Sequence, residues 1–373
     1  MSPKNRHSVT IVGCGFFGST LARILAEKDY TVKMIEARGH VGGNSYDFVD
    51  EQTGIFVHKY GTHIFHTSNR EVWKFVNRFS EFTDYDHYVK ARVGNKFFTL
   101  PFNLNTFEEI YIGTMDSDQI SELISRNSSK RNFSNLKDYC VDRVGLELYE
   151  TLIKGYTTKQ WGMDPKDLPA EIIQRIAIRN NKDNGYFSDT FQGLPVEGYT
   201  KLFERMLDHP NISVNLNTEF TLQNFDSREI LLYSGPLDKL FDYEYGELEW
   251  RCVDLEFEVL NLSDYQGLPV INYPDIDVAY TRIHEFKHLY PRFRNSTKTI
   301  VAKEFSRKAL KGDLPYYPVR TTKNVSLYEK YLERAMKIDN FYPGGRLGSF
   351  MYLDMHMAIG QAIKLGGEIL GRR

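Results

Sequence analysis

The feature that most constrains the fold is the segment TIVGCGFFGSTLARI, residues 10–24, which contains Gly13, Gly15 and Gly18. SVTIVG predicts a strand, FFGSTLARILAEKD has helical spacing, and TVKMIE predicts a second strand that ends at Glu36. These elements form a βαβ unit that opens a parallel sheet. In this context the three glycines predict a tight turn, close approach of the backbone to a pyrophosphate, and close helix packing.

Glu36 and a second glycine turn narrow the choice of dinucleotide. The carboxylate can accept hydrogen bonds from ribose hydroxyls and disfavours a 2′-phosphate, which argues against NADP. FAD and NAD share this fingerprint, but EARGHVGGNSYD adds Arg38, Gly42 and Gly43 and extends the phosphate cradle. The sequence has no second G-x-G-x-x-G for a nicotinamide dinucleotide. The pattern favours FAD, and a tight glycine turn without a ligand is the structural alternative.

Composition excludes several classes of protein. The chain has 373 residues, a net charge of -2 and 26% charged residues, without the basic field that nucleic acid requires. MSPKNRHS at the N-terminus is polar, and no apolar run approaches the roughly 20 residues that span a bilayer. Cys14, Cys140 and Cys252 show neither a disulfide framework nor metal-ligand spacing. We therefore expect a cytoplasmic protein whose partner is a small molecule, not nucleic acid or a membrane.

The chain changes character along its length. Residues 104–172 read as helices joined by polar turns and predict a helical insertion. NISVNL, EILLYSG and VDLEFEVL predict strands, and LEFEVL alternates strictly, as a half-buried antiparallel strand does. FYPGGRLGSFMYLDMHMAIGQAIKLGGEIL predicts a strand, a glycine-rich turn and a helix. Glycine-rich turns near both ends indicate one dinucleotide domain assembled from distant segments.

A second set of residues suits a diphosphate-linked ligand, because arginine forks bind phosphates and tyrosine phenols contact phosphates or bases. Each of these residues alone is also compatible with packing or a solvated surface. The set lies in KGYTTKQWGM, EIIQRIAIRNNKDNGYFSD, DVAYTRIHEFKH and DLPYYPVR, and comprises Lys154, Tyr156, Lys159, Trp161, Arg175, Arg179, Tyr186, Tyr280, Arg282, Tyr316, Tyr317 and Arg320.

Three histidines, His58, His63 and His66, lie in VHKYGTHIFHT. No carboxylate or cysteine follows them at ligand spacing, and the run resembles a strand or tight loop. We therefore predict no metal site and interpret them as buried or flavin-edge side chains. No hydrolase nucleophile motif, zinc-protease motif or P-loop is present.

These motifs together resemble the UDP-galactopyranose mutase family along nearly the whole chain. They occur in the family's order: GCGFFGS, GGNSYD, YGTHIFHT, LPFNLNT, KGYTTKQWGM, YFSDTFQGLP, EGYTKLF, YSGPLD, YTRIHE, PYYPVR and GGRLGSFMYLD. The resemblance implies an α/β fold in which a Rossmann-type FAD-binding domain is interrupted by a helical domain and a twisted antiparallel β-sheet domain. It also implies a cytoplasmic homodimer, an external reductant for the flavin, and a role in cell-surface polysaccharide biosynthesis.

Domain boundaries follow from that resemblance. The FAD-binding domain would comprise residues 1–78, 192–246 and 318–373. The helical domain, with a substrate loop, would comprise residues 104–172, and the antiparallel sheet domain residues 79–103, 173–191 and 247–317.

The implied reaction is the non-redox isomerisation of a nucleotide sugar from pyranose to furanose, UDP-galactopyranose to UDP-galactofuranose. By that resemblance, the N5 atom of reduced FAD attacks the anomeric carbon and displaces UDP. The sugar ring then opens as a flavin iminium, its 4-hydroxyl recloses on the anomeric carbon, and UDP returns. The cofactor is thus the nucleophile, and arginines hold the leaving diphosphate.

Residue roles are implied motif by motif. The implied catalytic residues are Arg175, on a loop that closes over substrate, Arg282 and His63. The implied substrate-binding residues are Tyr156, Trp161, Tyr186, Tyr317, Tyr352, Asp354 and His87. The implied cofactor-binding residues are Gly13, Gly15, Phe16, Phe17, Gly18, Glu36, Arg38, Gly43, Asn44, Tyr60, His63, Arg346, Asp354 and Met355.

Four residues depart from the family's usual motifs. Ala177 and Ala279 replace prolines, Phe286 replaces a histidine, and His87 replaces an asparagine near the sugar diphosphate. These departures leave the sugar open, with UDP-N-acetylgalactosamine and dTDP-fucose as alternatives for the same chemistry. Two other classes also stay open: an FAD-dependent oxidoreductase of amine-oxidase type and a non-catalytic nucleotide-sugar-binding protein.

Overall fold

The computed structural model describes residues 7–125, 133–174, 178–226 and 228–371. The strands are β1 (Ser8–Val12), β2 (Thr31–Ile35), β3 (Asp47–Val49), β4 (Phe56–His58), β5 (Phe65–Thr67), β6 (Val89–Val93), β7 (Lys96–Leu100), β8 (Phe191–Gly193), β9 (Ile212–Asn215), β10 (Ile230–Tyr233), β11 (Trp250–Leu260), β12 (Val270–Asn272), β13 (Arg282–Glu285), β14 (Thr299–Lys308), β15 (Tyr317–Pro318) and β16 (Phe341–Pro343). The α-helices are α1 (Phe16–Ala26), α2 (Arg70–Val76), α3 (Leu104–Ile110), α4 (Ser117–Ser125), α5 (Leu136–Val144), α6 (Leu146–Leu148), α7 (Gly155–Trp161), α8 (Glu171–Gln174), α9 (Tyr199–Leu207), α10 (Leu237–Leu240), α11 (Thr322–Ala335), α12 (Gly345–Gly348) and α13 (Met355–Gly371).

A five-stranded parallel sheet with the order β16-β10-β1-β2-β9 contains the first βαβ unit. Val9 and Ile11 of β1 are fully buried, as expected for a central parallel strand covered on both faces. Since β9, β10 and β16 come from the middle and the end of the chain, distant segments build this sheet. The Rossmann-type part of the fold prediction is confirmed.

A seven-stranded sheet with the order β15-β11-β14-β13-β12-β6-β7 forms the second layer of strands. Its longest ladder joins β11 to β14 in antiparallel register, from the pair Arg251 and Lys308 to the pair Leu260 and Thr299. The remaining pairs are antiparallel except for β12 with β6. The predicted antiparallel character of LEFEVL, within β11, is therefore correct.

Helices α3 to α7 follow β7 and pack on the sheet. Phe107, Leu136 and Leu148 of these helices share a buried cluster with Phe98 and Leu100 of β7, so apolar burial attaches the helical segment to the sheet. Parallel sheet, helical segment and antiparallel sheet together give the mixed α/β fold expected. Among the described helices, none is both long enough and apolar enough to cross a bilayer.

Candidate functional site

The glycine turn after β1 is sterically required. Gly13 has a φ of +96°, and a Cβ there would lie 2.1 Å from Ser234 Oγ. A Cβ on Gly18 would lie 2.0 Å from the Gly13 carbonyl oxygen. Helix α1 begins after Gly15 without a side-chain cap, which leaves N–H groups of its first turn able to bind an anion.

Glu36 and Arg38 lie beside this turn. The buried Glu36 carboxylate accepts hydrogen bonds from the backbone N–H groups of Cys14 (2.8 Å) and Arg38 (3.0 Å). Arg38 donates through Nη2 to Asn44 Oδ1 at 2.9 Å, and its guanidinium lies 4.8 Å from the Tyr60 ring centroid. The buried Nη1 of Arg38 has no hydrogen-bond partner among the described residues. An orphaned cationic donor here suits a phosphate or another anion.

Two further glycine turns lie next to the segment that contains Gly15 and Phe17. Gly43 has a φ of +57°, and a Cβ there would lie 3.1 Å from the Gly15 Cα. Before α12, a Cβ on Gly344 would lie 2.1 Å from Cζ of Phe17, and Gly345 has a φ of +69°. Three segments far apart in sequence thus come into close contact. The backbone at Gly43 lies against the backbone at Gly15, and the backbone at Gly344 lies against the Phe17 ring, so side chains would not fit at these glycines.

Some predicted cofactor residues have another structural task. The side chains of Phe16 and Phe17 are buried in two hydrophobic clusters, so only their backbone can take part in binding. Met355, at the start of α13, accepts a hydrogen bond from Ser45 Oγ at 3.4 Å. His63 bonds the Gly61 carbonyl through Nδ1 at 2.7 Å. Burial lowers the pKa of His63 to about 4, so the neutral ring keeps a lone pair on Nε2.

The side chain of Arg282 on β13 is positioned by Glu304 on the neighbouring strand β14. Arg282 and Glu304 lie opposite each other in the ladder between β13 and β14, and Nε of Arg282 lies 3.2 Å from Glu304 Oε1 in an ion pair. Glu304 also accepts hydrogen bonds from Thr281 Oγ1 and His284 Nε2, both at 3.0 Å. Burial raises the pKa of Glu304, but Arg282 and His284 outweigh burial and lower it to about 2.

His284 extends this network towards the segment that carries His63. Its ring is buried, and burial lowers its pKa despite the Glu304 carboxylate. A neutral His284 donates Nε2–H to Glu304 and accepts at Nδ1 from the Thr62 hydroxyl, 2.8 Å away. Thr62, His284, Glu304 and Arg282 therefore form a continuous chain of polar contacts between two parts of the site.

Several predicted substrate-binding phenols lie around Arg282. Arg282 donates through Nη2 to the Tyr156 hydroxyl, and its side chain is 26% exposed, enough to reach a ligand. Burial lowers the Arg282 pKa, but Glu304 and the phenols of Tyr156, Tyr317 and Tyr186 raise it well above its ordinary value. The guanidinium is thus a permanent cation beside three tyrosines.

A second aromatic group lies next to Arg346. The rings of Tyr317 and Tyr352 are stacked with centroids 5.4 Å apart, and Trp161 lies 6.4 Å from Tyr317. The Arg346 guanidinium lies 5.6 Å from the Tyr317 centroid and 5.0 Å from that of Tyr352. Its Nη2 donates to the Leu353 carbonyl at 2.7 Å. A cation and flat apolar faces lie side by side here, a composition suited to a nucleotide.

His87 lies in a buried aromatic environment. Its ring centroid is 5.7 Å from that of Tyr186 and 5.8 Å from that of Phe187, and its Nδ1 lies 3.1 Å from the Tyr85 hydroxyl. Burial, then the Arg282 charge, lowers the pKa of His87 to about 3. His87 is therefore an uncharged hydrogen-bonding group close to the arginine.

One lysine and two arginines from the same motifs donate hydrogen bonds to backbone carbonyls. Lys159 Nζ donates to four backbone carbonyls between residues 273 and 280, at 2.6 to 2.9 Å. Arg179 donates to the Gly185 carbonyl and Arg320 to the Phe350 carbonyl. Each of these three side chains thus binds backbone carbonyls of loops or turns. Arg175 and Ala177 lie outside the described residues.

The residues that depart from the family's usual motifs lie in different surroundings. Phe286 is fully buried and stacks on His284 with centroids 6.0 Å apart, so it supports the ring that binds Glu304. Ala279 is exposed in the loop before β13. Glu304 and His284 themselves were not among the predicted site residues. Only the pairing of β13 with β14 brings Glu304 to Arg282. His284 lies two residues after Arg282 on the same strand, so the two-residue period of a strand could have indicated it.

Comparison with known proteins identifies the family. A family model described as UDP-galactopyranose mutase matches residues 151–352, and one described as an NAD(P)-binding Rossmann-like domain matches residues 11–79. A relative from Klebsiella pneumoniae named "Probable UDP-galactopyranose mutase" is 44% identical over 98% of this chain and 95% of its own length. The chain belongs to the UDP-galactopyranose mutase family. It is accordingly an enzyme of a family of mutases.

A second relative has a different sugar in its name. The dTDP-fucopyranose mutase of Escherichia coli is 40% identical over 96% of this chain and 97% of its own length. The UDP-galactopyranose mutase of Mycoplasma genitalium is 34% identical over 98% of this chain and 95% of its own length. The mutase family thus includes similar members named for two nucleotide sugars.

The fold is shared more widely. The crystal structure of a reduced UDP-galactopyranose mutase matches with a TM-score of 0.76 at 14% identity, over 99% of this chain and 95% of that one. A putrescine oxidase bound to putrescine matches with a TM-score of 0.60 at 9% identity, over 99% of this chain and all of that one. At such identities the likeness concerns the fold alone.

Proposed function

We propose that the chain is a flavin-dependent mutase that isomerises a nucleotide sugar between its pyranose and furanose forms without net redox change, with UDP-galactopyranose as substrate. The observation that carries the proposal is the placement of Arg282. This permanent cation lies beside Tyr156, Tyr186 and Tyr317, in a chain that is 44% identical to a relative named for this activity.

The residues around the first glycine turn fit FAD. The cradle of Gly13, Gly15 and Gly43 excludes side chains where a pyrophosphate would approach, and Arg38 offers a buried unpartnered donor. Glu36 stands where a ribose hydroxyl would be bound, next to the turn. When bound and reduced, the flavin supplies the nucleophile for the anomeric carbon of the sugar.

The protein's own residues would hold the diphosphate after it leaves the sugar. A diphosphate that leaves the sugar must stay in place until it returns, which requires fixed positive charge and oriented donors. Arg282 keeps its charge at any physiological pH, but Glu304 neutralises much of it. A second cation is therefore needed to hold the diphosphate. We assign this role to Arg175, which the family resemblance also implies as a catalytic residue.

The sugar-side residues suit a neutral substrate ring. His63 and His87 are uncharged because burial lowers their pKa values to about 4 and about 3. They can hydrogen-bond sugar hydroxyls without adding charge. The aromatic faces of Trp161, Tyr317 and Tyr352 are the wall on which we place the nucleobase and its ribose.

The architecture supports the proposed division into domains. The five-stranded sheet takes its strands from residues 1–78, 192–246 and 318–373, and helices α3 to α7 lie within residues 104–172. The strands of the seven-stranded sheet come from residues 79–103 and 247–318. We further infer a cytoplasmic homodimer and an external reductant, in line with the family resemblance.

The test is direct. Protein with its bound cofactor, reduced with dithionite under anaerobic conditions, is incubated with UDP-galactopyranose, dTDP-fucopyranose or UDP-N-acetylgalactosamine, and the products are separated by chromatography. We expect UDP-galactofuranose. Furanose formation from dTDP-fucopyranose alone would transfer the proposal to the second candidate, which the Escherichia coli relative supports. Turnover of none of the three by reduced, cofactor-loaded protein would refute the mutase proposal.

An oxidoreductase of amine-oxidase type is the competing class, because its fold is shared. It predicts consumption of O₂ with an amine such as putrescine, and no furanose product. Oxygen uptake by the oxidised protein with putrescine, at a rate above that of any isomerisation, would favour it.

A further inference from the structure

Lys159 on α7 binds the loop between β12 and β13 through four backbone carbonyls. Its Nζ donates to the carbonyls of Tyr273 (2.6 Å), Asp275 (2.8 Å), Val278 (2.8 Å) and Tyr280 (2.9 Å). Carbonyl oxygens that converge on one point repel each other unless a cation lies between them. Burial lowers the pKa of Lys159 to about 8, although the Asp275 carboxylate opposes this shift. The side chain is therefore mainly an ammonium ion at neutral pH, and its charge holds the loop together.

The C-terminal end of α7 is fixed to the seven-stranded sheet. Arg251 of β11 donates through Nε to the Gln160 carbonyl at 2.8 Å, and Ser306 Oγ of β14 donates to the same carbonyl at 2.6 Å. Gly162, directly after the helix, has a φ of +65°, and a Cβ there would lie 2.6 Å from Nη1 of Arg251. Because carbonyls of the last turn have no partner inside a helix, these contacts anchor the element that carries Lys159.

The start of α7 packs against the same loop. A Cβ on Gly155 would lie 2.1 Å from the Pro274 carbonyl oxygen. Gly155 and Lys159 are about one helical turn apart and share a face of the helix. The hydroxyl of Tyr156, which directly follows Gly155, accepts a hydrogen bond from Nη2 of Arg282. One anchored helix thus contacts both the loop and the arginine that follows it.

The loop leads directly into Arg282. Its base is closed, because the Tyr273 N–H donates to the Thr281 carbonyl at 2.9 Å and the Thr281 N–H donates to β14 at 2.8 Å. Its middle is open to solvent, and Ala279 there is exposed. The Lys159 ammonium therefore orders the part of the loop that lies between the closed base and the surface.

We propose that Lys159 is a positioning residue for the proposed mutase reaction. Its ammonium ion holds residues 273–281 against α7 in the conformation that presents Arg282 to the substrate diphosphate. A direct contact of Lys159 with a phosphate is disfavoured, because its three N–H donors already face four carbonyls. The inference rests on the proposed function, since the diphosphate is the group that Arg282 would hold. A displacement of about 1 Å at such a position can lower a rate by about 100-fold.

The experiment compares two variants of Lys159 in the reduced, cofactor-loaded protein. Lys159→Ala removes the ammonium ion and leaves space for a small cation, whereas Lys159→Met fills that space with an uncharged chain. We expect the kcat of Lys159→Ala to fall by about 10-fold to 100-fold and to recover on titration with NH₄Cl. Tetramethylammonium chloride at equal ionic strength has no N–H donor and should restore nothing. Lys159→Met should respond to neither salt.

A matched control is Lys166→Ala, which removes an exposed ammonium ion shortly after α7 and should leave kcat unchanged. Rates are expressed per folded, flavin-bound chain, from circular dichroism and flavin absorbance, so a loss of stability alone does not lower kcat. The inference is overturned if Lys159→Ala keeps the wild-type kcat or if NH₄Cl does not relieve its loss. It is also overturned if NH₄Cl raises the kcat of Lys159→Met equally.

Binding of the free nucleotide separates this inference from the proposed function, because it needs no turnover. Calorimetry measures the affinity for UDP and dTDP. Lys159→Ala should bind the preferred diphosphate about 10-fold more weakly than wild type, and NH₄Cl should restore the affinity. If wild type binds a diphosphate but forms no furanose, the proposed function fails, and the binding arm still decides the role of Lys159. Equal affinity in wild type and folded Lys159→Ala would overturn the inference, and no binding of either diphosphate by wild type would overturn both.

Discussion

Glu304 is expected to stabilise the fold because it is ionised inside it. Its pKa falls from an ordinary 4.5 to about 2, since Arg282 and His284 outweigh burial. That difference corresponds to about 3 kcal/mol of unfolding free energy, at about 1.4 kcal/mol for each pKa unit. Because the folded-state pKa is the lower one, this contribution is present above pH 4.5 and is lost as the pH falls towards about 2.

Glu304→Gln removes the charge while it keeps the shape of the side chain. We expect the free energy of unfolding to fall by about 3 kcal/mol at neutral pH, and the gap between variant and wild type to narrow to about 1 kcal/mol at about pH 3. Guanidinium unfolding followed by circular dichroism at both pH values measures the gap. Other carboxylates cancel in this comparison because both proteins carry them.

Glu258→Gln is the matched control, since Glu258 is an exposed carboxylate on the neighbouring strand β11. It should change stability by less than about 0.5 kcal/mol. The reasoning would be refuted if Glu304→Gln were as stable as wild type at neutral pH, or if the gap did not depend on pH.

Three further substitutions test other parts of the account. Arg282→Lys loses the forked donor and should lower the rate of furanose formation by about 100-fold or more, measured by chromatography with reduced protein. Gly43→Ala places a Cβ 3.1 Å from opposing backbone at a φ of +57° and should lower the FAD content of purified protein. Gly54→Ala, with a φ of +69° and open space, should retain FAD, and equal FAD content in both variants would contradict this account. Lys159→Met leaves four carbonyls without their cation and should cost about 3 kcal/mol of unfolding free energy, whereas the exposed Lys154→Met should cost under about 1 kcal/mol.

The parts of the fold that depend on local pattern could be predicted from the sequence. The spacing of Gly13, Gly15 and Gly18 between a β-branched run and a helical run gave the βαβ unit, because each requirement acts within a few residues. The distant glycine turn at Gly344 and Gly345 follows β16, which lies in the same parallel sheet as β1, so the sheet is built from separate segments.

Contacts between distant strands could not be predicted. Glu304 positions Arg282 and offsets much of its charge, yet nothing near Glu304 in sequence identifies it, because the register of β13 on β14 is a property of the folded sheet. The family resemblance implies Phe16 and Phe17 as cofactor residues; their side chains lie in the hydrophobic core, so a part in cofactor binding would fall to their backbone. The roles assigned to the site residues stay predictions until they are measured.

The measurement that tests the central claim most directly is the stoichiometry of product to reductant. Cofactor-loaded protein receives a single equivalent of dithionite under anaerobic conditions, followed by a large excess of UDP-galactopyranose. A mutase without net redox change should form UDP-galactofuranose far in excess of the flavin present, and the flavin should stay reduced. Product limited to one equivalent of flavin, with the flavin reoxidised as product forms, would contradict the account.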